Sequence, residues 1–192
     1  EKSDVDVLVI TNKTNKKIEQ GEYNVILVSE NSLKNQLETN IMPLLPMLKE
    51  AKSLLNEALI EKYKKIKIKR KNLKWHIEIV NSGLKVNKEF IQLNNELDEE
   101  NIGDAVAYSL ILHLRSVYIV KCLIKKKLWN KRELLNLIKK ISGSLKAYEG
   151  YLRIKNNKKA LELLPINEAE KLYLYIFKKI KEQERWLKAR KE

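Results

Sequence analysis

The chain has 192 residues, 44% of them hydrophobic, which is enough to bury a sizeable core and excludes intrinsic disorder as the starting expectation. Only 5 Gly and 3 Pro interrupt a composition rich in Lys, Leu, Ile, Glu and Asn, so the chain reads as mostly helical rather than as a turn-rich β fold. The formal charge of +14 is unevenly spread: residues 1–61 hold 7 Lys or Arg against 10 Asp or Glu, net −3, whereas residues 62–192 hold 32 against 15, net +17. Such a basic segment attracts polyanions, so RNA or another polyanionic acceptor is an expected partner, although Lys-rich helical surfaces also occur with no such role.

Val5-Asp6-Val7-Leu8-Val9-Ile10 is apolar and β-branched and is followed by Thr11 to Asn15, a turn composition; it predicts a buried strand. Tyr23-Asn24-Val25-Ile26-Leu27-Val28 repeats the pattern after Gly21 and predicts a second strand. Ser29 and Ser32 offer capping hydroxyls to a helix carrying Leu33 and Leu37. Pro43 and Pro46 end that helix, and Leu48, Lys52, Leu55 and Leu59 recur at helical spacing up to the basic run 62–71. The domain boundary is placed at this run.

From Asn72 onward every segment favours helix. Leu73, Ile77, Val80 and Leu84 share a face, and 104–127 is apolar nearly all round, the mark of a central helix surrounded by others. Asn130 with Glu133 predicts a capped helix ending at Ser142-Gly143, and Asn167 with Glu170 predicts the cap of a long last helix striped by Ala169, Leu172, Tyr173, Ile176, Phe177, Ile180 and Leu187. No uncharged run approaches the roughly 20 residues of a membrane span, so no membrane partner is expected. The start Glu1-Lys2-Ser3-Asp4 has no secretory pattern, and the single Cys122 reads as a small buried hydrophobe. A cytoplasmic address follows from these features as an expectation.

Asp4 and Asp6 lie two apart at the start of a predicted strand, which turns both carboxylates to one face, about 7 Å apart at the Cα level. A hard cation such as Mg²⁺ accepts such a pair together with water and substrate phosphate. Asp is disfavoured in strands, yet two of them precede an uninterrupted Val-Leu-Val-Ile run directly after Ser3.

Ser3-Asp4-Val5-Asp6-Val7-Leu8-Val9-Ile10 resembles the Ser-Asp-x-Asp strand of the DNA polymerase β-like nucleotidyltransferases, especially their minimal members. The resemblance covers about a third of the chain, and it implies transfer of a nucleoside monophosphate from a triphosphate to a hydroxyl. In that reading Asp4 and Asp6 are catalytic Mg²⁺ ligands and Ser3 lies against the nucleotide. It also implies a Gly-Ser pair upstream of Ser3, so the first domain is expected to be incomplete at its N-terminus. The family's third carboxylate falls on the later strand, where this chain has Asn24; an amide takes no proton, so catalysis is weak, leans on Glu22 or Glu30, or is lost.

The fold class expected is therefore α+β: a small nucleotidyltransferase-like αβ domain over 1–61 and an all-α bundle over 62–192, the latter resembling the nucleotide-binding helical domains with which minimal nucleotidyltransferases pair. Arg70 and His76 have the Arg-x5-His spacing of a ribonuclease site in some of those domains, a spacing that also arises by chance in so basic a chain. With one cysteine and two histidines no zinc site is expected, and His113, in the most apolar helix, reads as a core or interface residue. Lys64, Lys65, Lys67, Lys69, Arg70 and Lys71 are candidate nucleic-acid contacts, or else the solvated face of a turn. Trp75, Trp129 and Trp186 either stack on bases or, more commonly for such residues, pack the core. The acceptor stays open between RNA, a small hydroxylated molecule and a protein side chain. Two other readings stand beside the enzyme: a catalytically degenerate RNA- or nucleotide-binding module, and a partner-binding protein that forms a homodimer through its long last helix.

Overall fold

In a computed structural model, which describes residues 5–42 and 44–189, the two apolar β-branched runs form strands β1 (Val5–Thr11) and β3 (Tyr23–Ser29), parallel and in register from Val5 opposite Tyr23 to Thr11 opposite Ser29. Between them in sequence lies β2 (Lys16–Gln20), antiparallel to β3, giving the sheet order β1-β3-β2. Sequence reasoning had only a turn after β1. Lys16-Lys17-Ile18-Glu19-Gln20 is exposed at every position, as befits an edge strand, and so carries no apolar alternation to reveal it. Gly21 at φ +59 opens the two-residue hairpin loop from β2 to β3, the position that favours glycine.

The serine cap is present: Ser29 Oγ accepts the Ser32 N–H at 3.2 Å and starts α1 (Glu30–Thr39). The single helix expected from Leu48 to Leu59 is two short ones, α2 (Leu45–Glu50) and α3 (Glu57–Lys64). The chain between them is extended at Ala51 and left-handed at Asn56, whose side chain caps α3. Leu55, expected on a helical stripe with Leu48, Lys52 and Leu59, is 88% exposed in that connection, because six residues without helical hydrogen bonding break the spacing on which the expectation rested.

The chain divides into two compact units, the first running to Lys67 and including Lys71–Leu73, the second taking 68–70 and 74–192. The first has its own core of Leu33, Leu37, Ile41, Leu45 and Leu48, each at most 1% exposed and each worth about 1.5–3 kcal/mol of burial. Asn72 closes it: its amide donates to Leu37 O and Lys67 O, and its own carbonyl takes the Ile41 N–H.

The second unit is helical: α4 (Arg70–Glu96), α5 (Asp104–Ile124), α6 (Lys131–Ser142), α7 (Lys146–Lys155) and α8 (Ile166–Ala189). A two-stranded ribbon, β4 (Asn101–Ile102) with β5 (Leu164–Pro165), ties the entrance of α5 to that of α8. The expected central helix is α5: eleven of its residues are buried, and it packs on α7 and α8 while α6 packs on α8. By length and composition α5 alone among the described helices could cross a membrane, but half of its apolar window is buried in the bundle, and Arg115 and Lys121 interrupt it. Cys122 is buried, as expected, and the His113 ring lies over Gly83, where even a methyl group would meet it.

Asn130 caps α6 by accepting the Arg132 and Glu133 N–H groups, and Gly143 at φ +99 ends it. The expected Asn167 cap fails: α8 already starts at Ile166 after the β5 pairing, so Asn167 lies inside the first turn. Of the predicted stripe, Ala169, Leu172, Ile176, Ile180 and Leu187 are buried, whereas Phe177 is 42% exposed.

The tightest polar joint of this unit lies at the start of α5. Asp104, 1% exposed, accepts Arg153 Nε at 2.7 Å, Arg153 Nη2 at 2.8 Å and the Leu161 N–H at 2.8 Å. The hydrogen bonds from Arg153, with its charge, hold the Asp104 carboxyl below the usual carboxylate range. Gly150 makes room for this carboxylate, since a Cβ there would lie 2.5 Å from Asp104 Oδ1.

Candidate active site

Ser3 and Asp4 lie outside the described residues, so the site is built from Asp6 outward. Asp6 of β1 stands opposite Asn24 of β3, and Asn24 stands opposite Glu19 of β2. Residues in register across a pleated sheet point to one face, and strands are spaced about 4.8 Å apart, so Asp6, Asn24 and Glu19 form one row about 10 Å wide. Asp6 is exposed and Asn24 half-buried. Asp6 and Asn24, the position at which the resemblance leads one to expect a third carboxylate, are thus immediate neighbours, and the side chain there is an amide.

Glu19 and Lys17 enter this face because β2 exists, which sequence reasoning did not foresee. The Lys17 ammonium donates to the Glu19 carboxylate. That hydrogen bond, more than any other cause, raises the Lys17 pKa and lowers that of Glu19; the charge of Asp6 adds to the rise at Lys17. The row therefore offers hard oxygen donors and one adjacent cation. The Gly21-Glu22 loop joining two β runs was the available sequence signal for β2 and hence for Glu19.

The two substitute carboxylates weighed for Asn24 differ in position. Glu22 lies in the hairpin at the Asp6 end of the sheet, where its backbone carbonyl accepts the Val5 N–H at 2.7 Å. Glu30 follows the opposite end of β3, six residues and roughly 20 Å along the strand direction from Asn24. Its carboxylate accepts the Tyr63 hydroxyl at 2.7 Å and pairs with Lys34 at 3.1 Å, and those bonds lower its pKa. Burial, together with the same bond, pushes Tyr63 up to about 12. Glu30 therefore serves the core of its own unit. Among the described residues no three His, Cys, Asp or Glu side chains gather into a metal-binding group.

The basic run is the end of α3, a turn and the start of α4. Tyr63 points inward at 2% exposure, while Lys65, Lys67, Lys69, Arg70 and Lys71 are exposed. Lys64 is drawn into the structure, bonding Ala51 O at 3.1 Å and pairing with Glu61 at 2.9 Å. His76 is 4% exposed, and its Nε2 lies 3.0 Å from Gln183 Oε1, with Gln183 in turn donating to Val117 O. Burial lowers its pKa to about 4, so it is a neutral core residue and is not presented with Arg70 to solvent.

Within the helical unit a cleft of ≈ 400 Å³ opens between α5 and α8, lined among others by Tyr118, Lys121, Lys125, Tyr175, Lys179 and Trp186. Lys179 is held by Glu182 at 2.7 Å and lies 5.7 Å from the Tyr175 ring centroid. Trp129 is half-buried under Arg115, whose Cζ is 5.2 Å from the ring centroid, and Trp75 is 56% exposed. Comparison with protein-family models, with curated proteins and with solved structures returned no match to this chain.

Proposed function

We propose that the chain is a Mg²⁺-dependent nucleotidyltransferase of the DNA polymerase β-like type, acting in the cytoplasm. The observation that supports this most is the register of Asp6, the last residue of the Ser-Asp-x-Asp pattern in the sequence, beside Asn24 on one face of the sheet. The donor set suits the ion, being carboxylate and amide oxygens open to water and phosphate. Asp6, with Asp4 beside it in sequence, would hold it. Bound there, Mg²⁺ would offset the charge of the triphosphate and of the leaving pyrophosphate.

The chain's own residues then divide the remaining work. Lys17, on the same face one row along, is placed to meet a phosphate oxygen. Asn24 orients the acceptor hydroxyl by hydrogen bonding but cannot take its proton, and Glu19, which flanks Asn24 on the side away from Asp6, is the carboxylate left on that face for that step. The basic, aromatic-lined cleft of the helical unit is the acceptor-binding surface of this reading, with RNA or another polyanion as its ligand.

The test is transfer of label from each nucleoside triphosphate to cellular RNA or protein with Mg²⁺. The wild type should transfer, Asp6→Asn should not, and Asn24→Asp should raise the rate, by up to the 10²–10⁴-fold that a positioned base typically supplies, roughly. If neither the wild type nor Asn24→Asp transfers label, the enzyme reading fails. The amide at position 24 favours the second reading, a degenerate scaffold that binds RNA through its exposed lysines. In that case affinity falls steeply with salt and is the same for Asp6→Asn as for the wild type.

A further inference from the structure

Between Asp104 and Glu133 the chain runs through 28 residues that hold seven cations and no carboxylate. Arg115 is occupied by the Trp129 ring. The other six, Lys121, Lys125, Lys126, Lys127, Lys131 and Arg132, are exposed, and none forms an ion pair among the described residues. The dipole of α5 accounts for lysine at its close, but the first turn of α6 disfavours the charges of Lys131 and Arg132. So dense a set of like charges is held against self-repulsion that a polyanion removes.

The fold gathers these charges at one mouth. Lys126 takes a left-handed backbone, φ +55, and the Lys127 N–H bonds Cys122 O at 2.9 Å, so the chain turns back sharply after α5. Glu133 then accepts the Tyr118 hydroxyl at 2.8 Å, which sets the start of α6 against the part of α5 that lines the ≈ 400 Å³ cleft. Lys121 and Lys125 line the α5 wall of that cleft, and Tyr175 and Trp186 its α8 wall. On the α8 wall the cation is already neutralised, Lys179 by Glu182 at 2.7 Å. One wall is thus aromatic with little net charge, and the other is cationic and continues onto the α5–α6 turn.

These walls fit the two halves of a nucleotide, a base stacking on the aromatic side and phosphates meeting the lysines. A volume of ≈ 400 Å³ lies near the low end of ligand clefts, roughly 300–1,000 Å³, and suits a single base with its sugar. A base offers its face to a side chain only outside a duplex stack. Glu182, the one carboxylate lining the cleft among the described residues, repels phosphate but accepts a ribose 2′-hydroxyl, a donor that RNA has and DNA lacks.

We propose that the cleft and the α5–α6 turn form one site for single-stranded RNA, with an unpaired base against Tyr175 and Trp186 and the flanking phosphates on Lys121, Lys125 and the turn lysines. This rests on the reading of the cleft as the RNA-binding surface, and adds which form of RNA it takes and where each part lies.

The test is binding by the full chain without Mg²⁺ or nucleoside triphosphate, so that a failure of transfer leaves its outcome unaffected. Fluorescence anisotropy compares a labelled RNA of about 12 nucleotides, within the span of single-strand sites, with the same RNA annealed to its complement and with the DNA strand of that sequence. The single RNA strand should bind about tenfold tighter than either. In Lys125→Gln/Lys126→Gln/Lys127→Gln the slope of log affinity against log salt should shrink by about 2, at roughly 0.7 per lost phosphate contact. In protein carrying Trp75→Phe and Trp129→Phe, the single strand should quench the emission of Trp186 and inorganic polyphosphate should not, a readout that leaves the stacking wall intact. Equal affinity for the duplex or the DNA strand overturns the proposal, as does an unchanged salt slope in the triple variant or an unquenched Trp186. Transfer to RNA without these preferences sinks the proposal alone; no binding of RNA in any form sinks the reading of the cleft beneath it as well.

Discussion

The two units handle their polar residues in opposite ways. In the helical unit the polar side chains that enter the interior are bound to one another across elements: Asp104 to Arg153 and the Leu161 amide, His76 through Gln183 to the Val117 carbonyl, Asn87 to Ser109. Among the described residues no buried side-chain nitrogen or oxygen is left without a partner. In the sheet unit the notable polar group is at the surface: Asp6, Asn24, Glu19 and Lys17 share one face, three of them exposed. Buried polar groups that are fully bonded fix which helix meets which, and exposed ones spaced by a pleat are available to a ligand. The buried set holds the helices together, and the exposed set is where the proposed chemistry would lie.

The largest expected effect breaks the helical unit at its joint. Asp104→Asn leaves the Arg153 guanidinium partly buried and its charge uncompensated, and should lower stability by about 3–5 kcal/mol. All three tryptophans lie in this unit, so a urea titration followed by their fluorescence reads it alone. A shift under about 1 kcal/mol would show that the joint carries little of the fold's stability.

Acid sharpens the contrast next. A histidine whose folded pKa of about 4 lies below its unfolded value of 6.5 gives stability that is complete above 6.5 and lost as the pH falls toward 4, up to about 3 kcal/mol for His76. His113 shifts in the same direction through burial, and Asp104, also lowered, extends the loss to more acid pH. Both histidines belong to the helical unit, so tryptophan-monitored stability should fall between neutral pH and pH 4; a flat profile would contradict the burial of His76. The smallest effect is expected at the sheet. Asp6→Asn, at an exposed strand position, should change stability by no more than about 0.5 kcal/mol whatever it does to transfer, and a larger loss would make Asp6 a structural residue.

Much of this architecture was legible in the sequence where a residue's type and its periodicity agreed. The Val-Leu-Val-Ile run of β1, the Ser29 and Asn130 caps, the Gly143 stop and the all-round apolarity of α5 each state their conformation locally. What was hidden depended on partners elsewhere in the chain. Strand β2 has no inward face, so only its pairing with β3 makes it a strand. Leu55 keeps a helical spacing with Leu48 and Leu59 by accident, and Asn167 resembles a cap that the β4–β5 pairing makes unnecessary. The site followed the same division. Asp6 and Asn24 were found because each lies in a strand with a plain pattern, whereas Glu19 and Lys17 were missed because their strand has none.

The placement of Cys122 has a practical consequence. A thiol 7% exposed in the central helix, with burial holding its pKa above the ordinary value, is closed to alkylating reagents as long as α5 stays packed. Because it is the sole cysteine, its rate of modification in the native protein is a clock for the opening of the bundle, counting each excursion that exposes the middle of α5. Every substitution that loosens the helices can thus be ranked by one chemical rate, measured in native buffer and without denaturant.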